Sequence, residues 1–213
     1  MQKKLLIIVV MSIVTSVVSA QQKERTTLTT WGLKMEVNMS DFIITKESDL
    51  NAEMRMGGTF GGFVSIALSK PFALQGELLY HYKASQLDSL GKQGDYHYWG
   101  MEIPFYIVYR WKFIRDNVAH VGFGPFAEFG LSSTLKRGNQ TIDLYGKNDK
   151  TEVSAMNDFN SGFGMMLGYE LENGLQVNAG YKISVTNILD KNRNLLFEMY
   201  PHTVSLGVAY RFR

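Results

Sequence analysis

Two histidine–serine pairs are the residues of this chain that could take part in nucleophilic catalysis. His81 stands four positions before Ser85, and His202 stands three positions before Ser205. A histidine activates a serine hydroxyl when a third group orients the imidazole ring. Neither serine lies within a nucleophile motif. We therefore predict that the protein is not an enzyme and has no catalytic residue.

Metal, thiol and cofactor chemistry are also not indicated. The chain has 4 histidines and no cysteine, and the histidines lie on separate segments without the spacing of metal ligands. Five glycines could suggest a phosphate-binding loop, but they alternate along predicted strands and none opens a helix. These glycines are Gly122, Gly124, Gly162, Gly164 and Gly168. We predict neither a metal nor a cofactor.

The first 20 residues have the pattern of a cleaved export signal. Lys3 and Lys4 precede the apolar run 5–14, and Ala20 ends a small-residue cleavage site before Gln21. The apolar run is too short for a membrane-spanning helix. The signal contains two of the 22 basic residues and none of the 20 acidic ones, so the rest carries 20 of each. This neutrality argues against nucleic acid as a partner.

From residue 30 onward, apolar and polar residues alternate in successive segments. In the first segment, 30–40, the odd positions are apolar and the even positions are mostly polar. Such alternation predicts a strand with one apolar face. The pattern recurs over 60–68, 74–83, 101–110, 120–129, 162–171, 175–185 and 203–212. The sequence therefore predicts eight strands.

The connections between these strands differ in length in a regular way. Short links lie near 69–71, 114–117 and 172–174, whereas long polar links cover 41–57, 85–95, 132–158 and 187–198. Short turns at one end and long loops at the other are typical of outer-membrane barrels. A soluble barrel with its apolar face inward is the alternative, but eight strands enclose too little space for so many large rings.

We therefore predict an all-β fold, an eight-stranded antiparallel up-and-down transmembrane β-barrel surrounded by outer-membrane lipid. Residues 1–20 are the signal peptide, 21–29 a short periplasmic segment and 30–213 the barrel domain. Both termini are expected in the periplasm.

The predicted inward faces carry five acidic and five basic residues. Opposite charges in a narrow lumen must pair, because an isolated buried ion is very unfavourable. The predicted lumenal charge network comprises Lys34, Glu36, Glu77, Glu102, Arg110, Glu128, Glu170, Lys182 and Arg211, with Lys83 as the tenth charge. Large side chains share the lumen and predict a plugged interior; they are Phe63, Leu79, Tyr106, Phe126 and Met166. A narrow channel gated by these ion pairs is the alternative.

The segment 98–111 tests this assignment, because it places a charge and a proline among apolar residues. If Ile103 and its odd-numbered neighbours face lipid, Glu102 points into the lumen beside a basic side chain. Pro104 shares the inward face and lacks an amide hydrogen. We therefore expect it at a bulge or a local bend of the strand.

Several short motifs occur in a recognisable order along 30–212. They are the strand Met101-Glu102-Ile103-Pro104-Phe105, the strand Gly124-Pro125-Phe126, the glycine-rich segment 162–171, the segment 178–188 and the ending 207–212. Together they resemble the PorT-type outer-membrane β-barrel domain that is widespread in Bacteroidota. Arg213 departs from the pattern, because an aromatic residue usually closes such chains.

The resemblance implies an integral outer-membrane location without enzymatic activity or a cofactor. The founding member of that family supports protein secretion across the outer membrane. Expected partners are the barrel-insertion machinery and other envelope or secretion proteins.

Overall fold

The computed structural model describes residues 29–45, 50–89, 92–114, 116–138, 140–146, 156–189 and 198–212. The predicted signal peptide and residues 21–28 lie outside this part of the chain. The strands are β1 (Thr29–Thr45), β2 (Leu50–Ala67), β3 (Phe72–Ser89), β4 (Lys92–Lys112), β5 (Val118–Arg137), β6 (Gln140–Asp143), β7 (Phe159–Glu170), β8 (Leu175–Ser184) and β9 (Glu198–Phe212). None of the described residues forms a helix that is long and apolar enough to cross a membrane.

Eight of these strands form a closed antiparallel ring. The ring runs β1–β2–β3–β4–β5–β7–β8–β9, and the pairing of β1 with β9 closes it. The short strand β6 pairs with the C-terminal end of β5 and is not part of the ring. The predicted eight-stranded barrel is thus confirmed, whereas β6 lies in a segment that was predicted to be loop.

The two faces of each strand have opposite polarity. On β1, Met35 is 66% exposed while its neighbour Lys34 is only 5% exposed. The same contrast holds around the ring, where large apolar side chains point outward and charged side chains point inward. An apolar outer band around a polar interior is typical of a barrel that is embedded in the hydrocarbon core of a membrane.

Aromatic rings form two belts around the outer surface. Near the short turns, Trp31 stacks on Phe212 with ring centroids 4.2 Å apart, and Tyr109 lies 5.7 Å from Trp111. Near the long links, Trp99 lies 4.8 Å from Tyr82. With a rise of about 3.3 Å per residue and a tilt of about 40°, the residues between Trp99 and Trp111 span roughly 30 Å. That distance matches the hydrocarbon thickness of a bilayer. We call the two ends of the barrel the turn end and the loop end.

The predicted loops 41–57 and 85–95 are wrong in large part, and the predicted loop 132–158 is wrong over 132–137 and 140–143, because strands continue beyond the aromatic belt at Trp99. β3 ends only at Ser89, β4 begins at Lys92 and β5 extends to Arg137. In the extension of β5 the polarity is reversed, with Leu135 buried and Lys136 exposed. The outward residues of these extensions are polar. A strand predicted only from its apolar outward face therefore ends too early, although the observed strand is continuous. Of the fourth predicted loop, 187–198, residues 190–197 are not described; Leu189 forms a bridge with Met156.

Pro104 lies at an interruption of the ladder, as expected, but not at a bulge. Pairing between β3 and β4 stops at Gly76 and Phe105 and resumes at Leu79 and Glu102 in the same register. The ladder is therefore interrupted beside the proline, as a missing amide hydrogen requires, without a register shift. One register shift lies on β5, where Ser132 pairs with Trp99 and Gly130 with Gly100, and a second one lies between Arg55 and Gly58 on β2.

Candidate functional site

All ten predicted inward charges line the lumen of the ring. Nine have buried or nearly buried side chains, and Arg110 is the most exposed, with 24% of its side chain accessible. They come from β1, β3, β4, β5, β7, β8 and β9. Each of the five carboxylates contacts at least one base. These contacts form several groups along the barrel axis.

The group nearest the turn end contains one carboxylate and two guanidinium groups. Arg110 Nη2 lies 2.8 Å from Glu170 Oε2, and Arg211 Nε lies 3.0 Å from the same oxygen. Gln176 donates a further hydrogen bond of 3.0 Å to this oxygen. Arg211 also donates to the Thr30 hydroxyl and lies over the Phe63 ring. Strands β1, β2, β4, β7, β8 and β9 therefore meet at this group.

The next group has the opposite composition, with two carboxylates and one ammonium group. Lys34 Nζ lies 3.1 Å from Glu36 Oε1 and 3.1 Å from Glu77 Oε2. Gln75 donates a hydrogen bond of 2.8 Å to Glu77 Oε1. Because Glu170 has two basic partners and Lys34 has two acidic ones, the lumen is balanced as a whole but not within each group.

Two further pairs lie closer to the loop end. Lys182 contacts Glu102, and Lys83 Nζ lies 2.7 Å from Glu128 Oε1. His81 Nε2 is 2.8 Å from the same Glu128 oxygen. One ligand atom from each of His81, Glu102 and Glu128 lies within 4.8 Å of the others, which is close enough to hold a metal ion. Sequence spacing did not predict this cluster, because its members come from three different strands. The ammonium groups of Lys83 and Lys182 already supply positive charge to both carboxylates.

Large side chains fill the space between the ion pairs. Leu79, Tyr106 and Phe126 are 4% exposed or less, and Phe63 and Met166 are 3% exposed. An eight-stranded ring is just wide enough for side chains to fill it. The described residues therefore form a packed interior between the two ends of the barrel.

An apolar cluster closes the lumen at the loop end. We call it the loop-end cluster; its buried members are Phe42, Tyr96, Tyr98, Leu135, Leu144, Met156, Ile188, Leu189 and Met199. Tyr98 stacks on His81 with ring centroids 5.6 Å apart, so the cluster lies directly on the ion pairs. Burial beside the cluster raises the pKa of the Tyr145 phenol above its ordinary value. A cavity of about 30 Å³ remains between cluster and ion pairs, room for one or two water molecules.

The turn end differs, because the lumen widens there into an open cavity of about 770 Å³. We call this cavity the turn-end vestibule. Its lining includes Lys70, Arg110, Lys112, Glu170 and Arg211. The barrel is thus closed at one end and open at the other.

The two histidine–serine pairs do not form catalytic dyads. His81 and Ser85 share the inward face, but they are four residue steps apart along the strand, a distance of about 13 Å. The Ser85 hydroxyl instead donates to the Glu53 carbonyl oxygen. Ser205 points inward and is buried, whereas His202 is on the opposite face, 6.3 Å from the Tyr181 ring.

The closed ring, the apolar outer band and the charged interior together define a β-barrel of the outer-membrane type. A family model described as outer membrane protein beta-barrel domain matches residues 19–190. The chain therefore belongs to this family of integral outer-membrane proteins. No curated protein sequence matches the chain.

Solved structures are similar in fold and distant in sequence. The outer membrane protein OprG from Pseudomonas aeruginosa is 11% identical, with a TM-score of 0.52 over 88% of this chain and 97% of that one. Neisserial surface protein A is 8% identical, with a TM-score of 0.47 over 85% and 97% of the two chains. The attachment invasion locus protein Ail of Yersinia pestis is 11% identical, with a TM-score of 0.43 over 86% and 98%.

Proposed function

We propose that the protein is a closed, non-enzymatic barrel with a structural or interaction role in the outer membrane. The observation that carries this proposal is the filled lumen, in which ion pairs and large side chains lie beneath the loop-end cluster. In this role the loop end faces outward and both chain ends lie in the periplasm. The charge network then stabilises the barrel and conducts nothing.

We further propose that this role is accessory to protein secretion or envelope assembly. The motifs around Glu102, Pro125 and 207–212 support this, through their resemblance to the PorT-type domain. The proposed partners are the machinery that inserts the barrel and other proteins of the envelope or of secretion.

A deletion strain tests this accessory role. The proteins of the culture medium and the leakage of a periplasmic reporter enzyme are compared in the wild-type, deletion and complemented strains. We expect the deletion to reduce secreted proteins or to increase leakage, and the complemented strain to recover. Unchanged secretion together with an intact envelope would exclude the accessory role.

The competing function is a narrow channel gated by the ion pairs. The turn-end vestibule favours it, because this cavity already opens part of the lumen. Ion conduction would then require Lys83, Glu128 and the loop-end cluster above them to move aside. Electrical recording from the purified protein separates the two functions.

A further inference from the structure

The turn-end vestibule combines a sizeable cavity with positive charge. Its volume of about 770 Å³ lies in the range of small-molecule sites. Four of its lining residues are basic and one is acidic; they are Lys70, Arg110, Lys112, Arg211 and Glu170. Lys112 contacts Asp116 at 2.8 Å, on the exposed rim. Even with that pair set aside, the lining remains positive.

The arrangement of the lumenal ion pairs explains this surplus. Glu170 is one carboxylate between two guanidinium groups, whereas the compensating excess of carboxylate lies deeper, around Lys34. The deeper charges, Lys34, Glu36 and Glu77, are buried. A ligand that enters the vestibule therefore meets the positive group first, and low-dielectric walls strengthen its field.

Arg110 is the base of this group that a ligand reaches most readily. Its side chain is 24% exposed, compared with 4% for Arg211. A guanidinium carries five N–H donors in a planar fork that matches carboxylate and phosphate oxygens. Hydroxyl groups of Thr30, Ser65 and Ser69 also line the cavity and can donate to the same oxygens.

We propose that the turn-end vestibule is a binding site for an oxyanion, the carboxylate or phosphate group of a ligand, with Arg110 as its principal contact. The site goes beyond the structural role proposed above. It does not depend on whether the lumen conducts or on which compartment the turn end faces.

Calorimetry on the refolded barrel in detergent tests the site. The probes are tetraglutamate, inorganic phosphate and tetralysine, and the variants are Arg110→Gln and Arg55→Gln. Arg55 is an exposed arginine at the loop end that contacts Gln86, so its variant makes the same charge change far from the vestibule. We expect an anionic probe to bind the wild type and tetralysine not to bind. Arg110→Gln should weaken binding at least about tenfold, which a lost charged hydrogen bond implies, and Arg55→Gln should not.

The two anions distinguish the source of the oxyanion. Binding of tetraglutamate alone assigns a carboxylate ligand, and binding of phosphate alone assigns a phosphate ligand. Binding of neither anion, or equal binding by Arg110→Gln and wild type, would overturn the proposal.

Each variant is first checked for folding by its gel mobility without boiling. If Arg110→Gln does not fold, Arg110→Lys replaces it. Arg110→Lys keeps the charge but loses the fork, and must bind the anion more weakly than the wild type for the proposal to stand.

Discussion

At the scale of single residues, the lumen shows how a barrel accommodates buried ions. Each of its five carboxylates contacts a basic side chain from another strand or from its own, and amides such as Gln75 complete the hydrogen bonding. A buried ion that loses its partner is strongly destabilising, whereas a pair replaced by apolar residues is often neutral. Replacing one partner of an ion pair should therefore lower the free energy of unfolding much more than replacing both partners.

Glu102 and Lys182 provide the test. Glu102→Leu leaves the buried Lys182 ammonium without the carboxylate that it contacts, and we expect a loss of roughly 3–5 kcal/mol in the free energy of unfolding. The double variant Glu102→Leu with Lys182→Met should recover most of this loss. Urea unfolding of the refolded barrel in lipid vesicles measures both. A double variant as unstable as the single one would refute the pairing argument.

Alternation along each strand was enough to predict which residues face the lumen, but not which of them touch. Glu102 and Ile103 lie on opposite faces, as the pattern around them predicts. The contact of Glu128 with Lys83, 45 positions away, depends on the register and shear of the whole ring. Single-strand patterns carry no information about either. For the same reason, the sequence did not predict that His81, Glu102 and Glu128 lie close together.

At the scale of elements, β2, β4 and β5 each contain two zones of opposite polarity. Between the two aromatic belts the apolar residues point outward. Beyond the belt at Trp99, towards the loop end, they point inward. The register shifts in β2 and β5 help to exchange the faces. The membrane zone was predictable because its alternation is strict. The zone beyond the aromatic belt at Trp99 was not predictable in this way, because its outward residues are polar and resemble a loop sequence.

An arginine scan on the outward face of β4 locates the boundary between the zones. Ile103 faces lipid, whereas Asp95 is exposed beyond Trp99. Ile103→Arg should lower stability by about 2–4 kcal/mol near the midplane of the bilayer, and Asp95→Arg should have little effect. Urea unfolding in vesicles compares them. Equal effects at the two positions would show that the proposed boundary is misplaced.

Two methionines test whether the loop-end cluster is a packed core. Met199 is 2% exposed within the cluster, and Met35 is 66% exposed on the lipid face. Met199→Ala should lower the free energy of unfolding by about 2–5 kcal/mol because it leaves a cavity. Met35→Ala should lower it markedly less, since lipid fills the space. Similar losses for both variants would argue against a packed cluster.

At the scale of the whole molecule, the barrel is asymmetric along its axis. The loop end is closed by the loop-end cluster, and the turn end opens into a cavity lined by Arg110 and Lys70. We propose that a barrel closed at one end has a structural or interaction role and does not conduct ions. The proposed function therefore depends above all on the lumen being closed.

Planar-bilayer recording from the pure wild-type protein tests this claim most directly. Protein refolded into lipid vesicles, with its folded state verified by gel mobility without boiling, is fused into the bilayer at several voltages. We expect no unitary conductance, because Tyr98, His81 and the ion pairs beneath them fill the path of any ion. Reproducible unitary steps from this preparation would show that the lumen conducts ions and would establish the channel function instead.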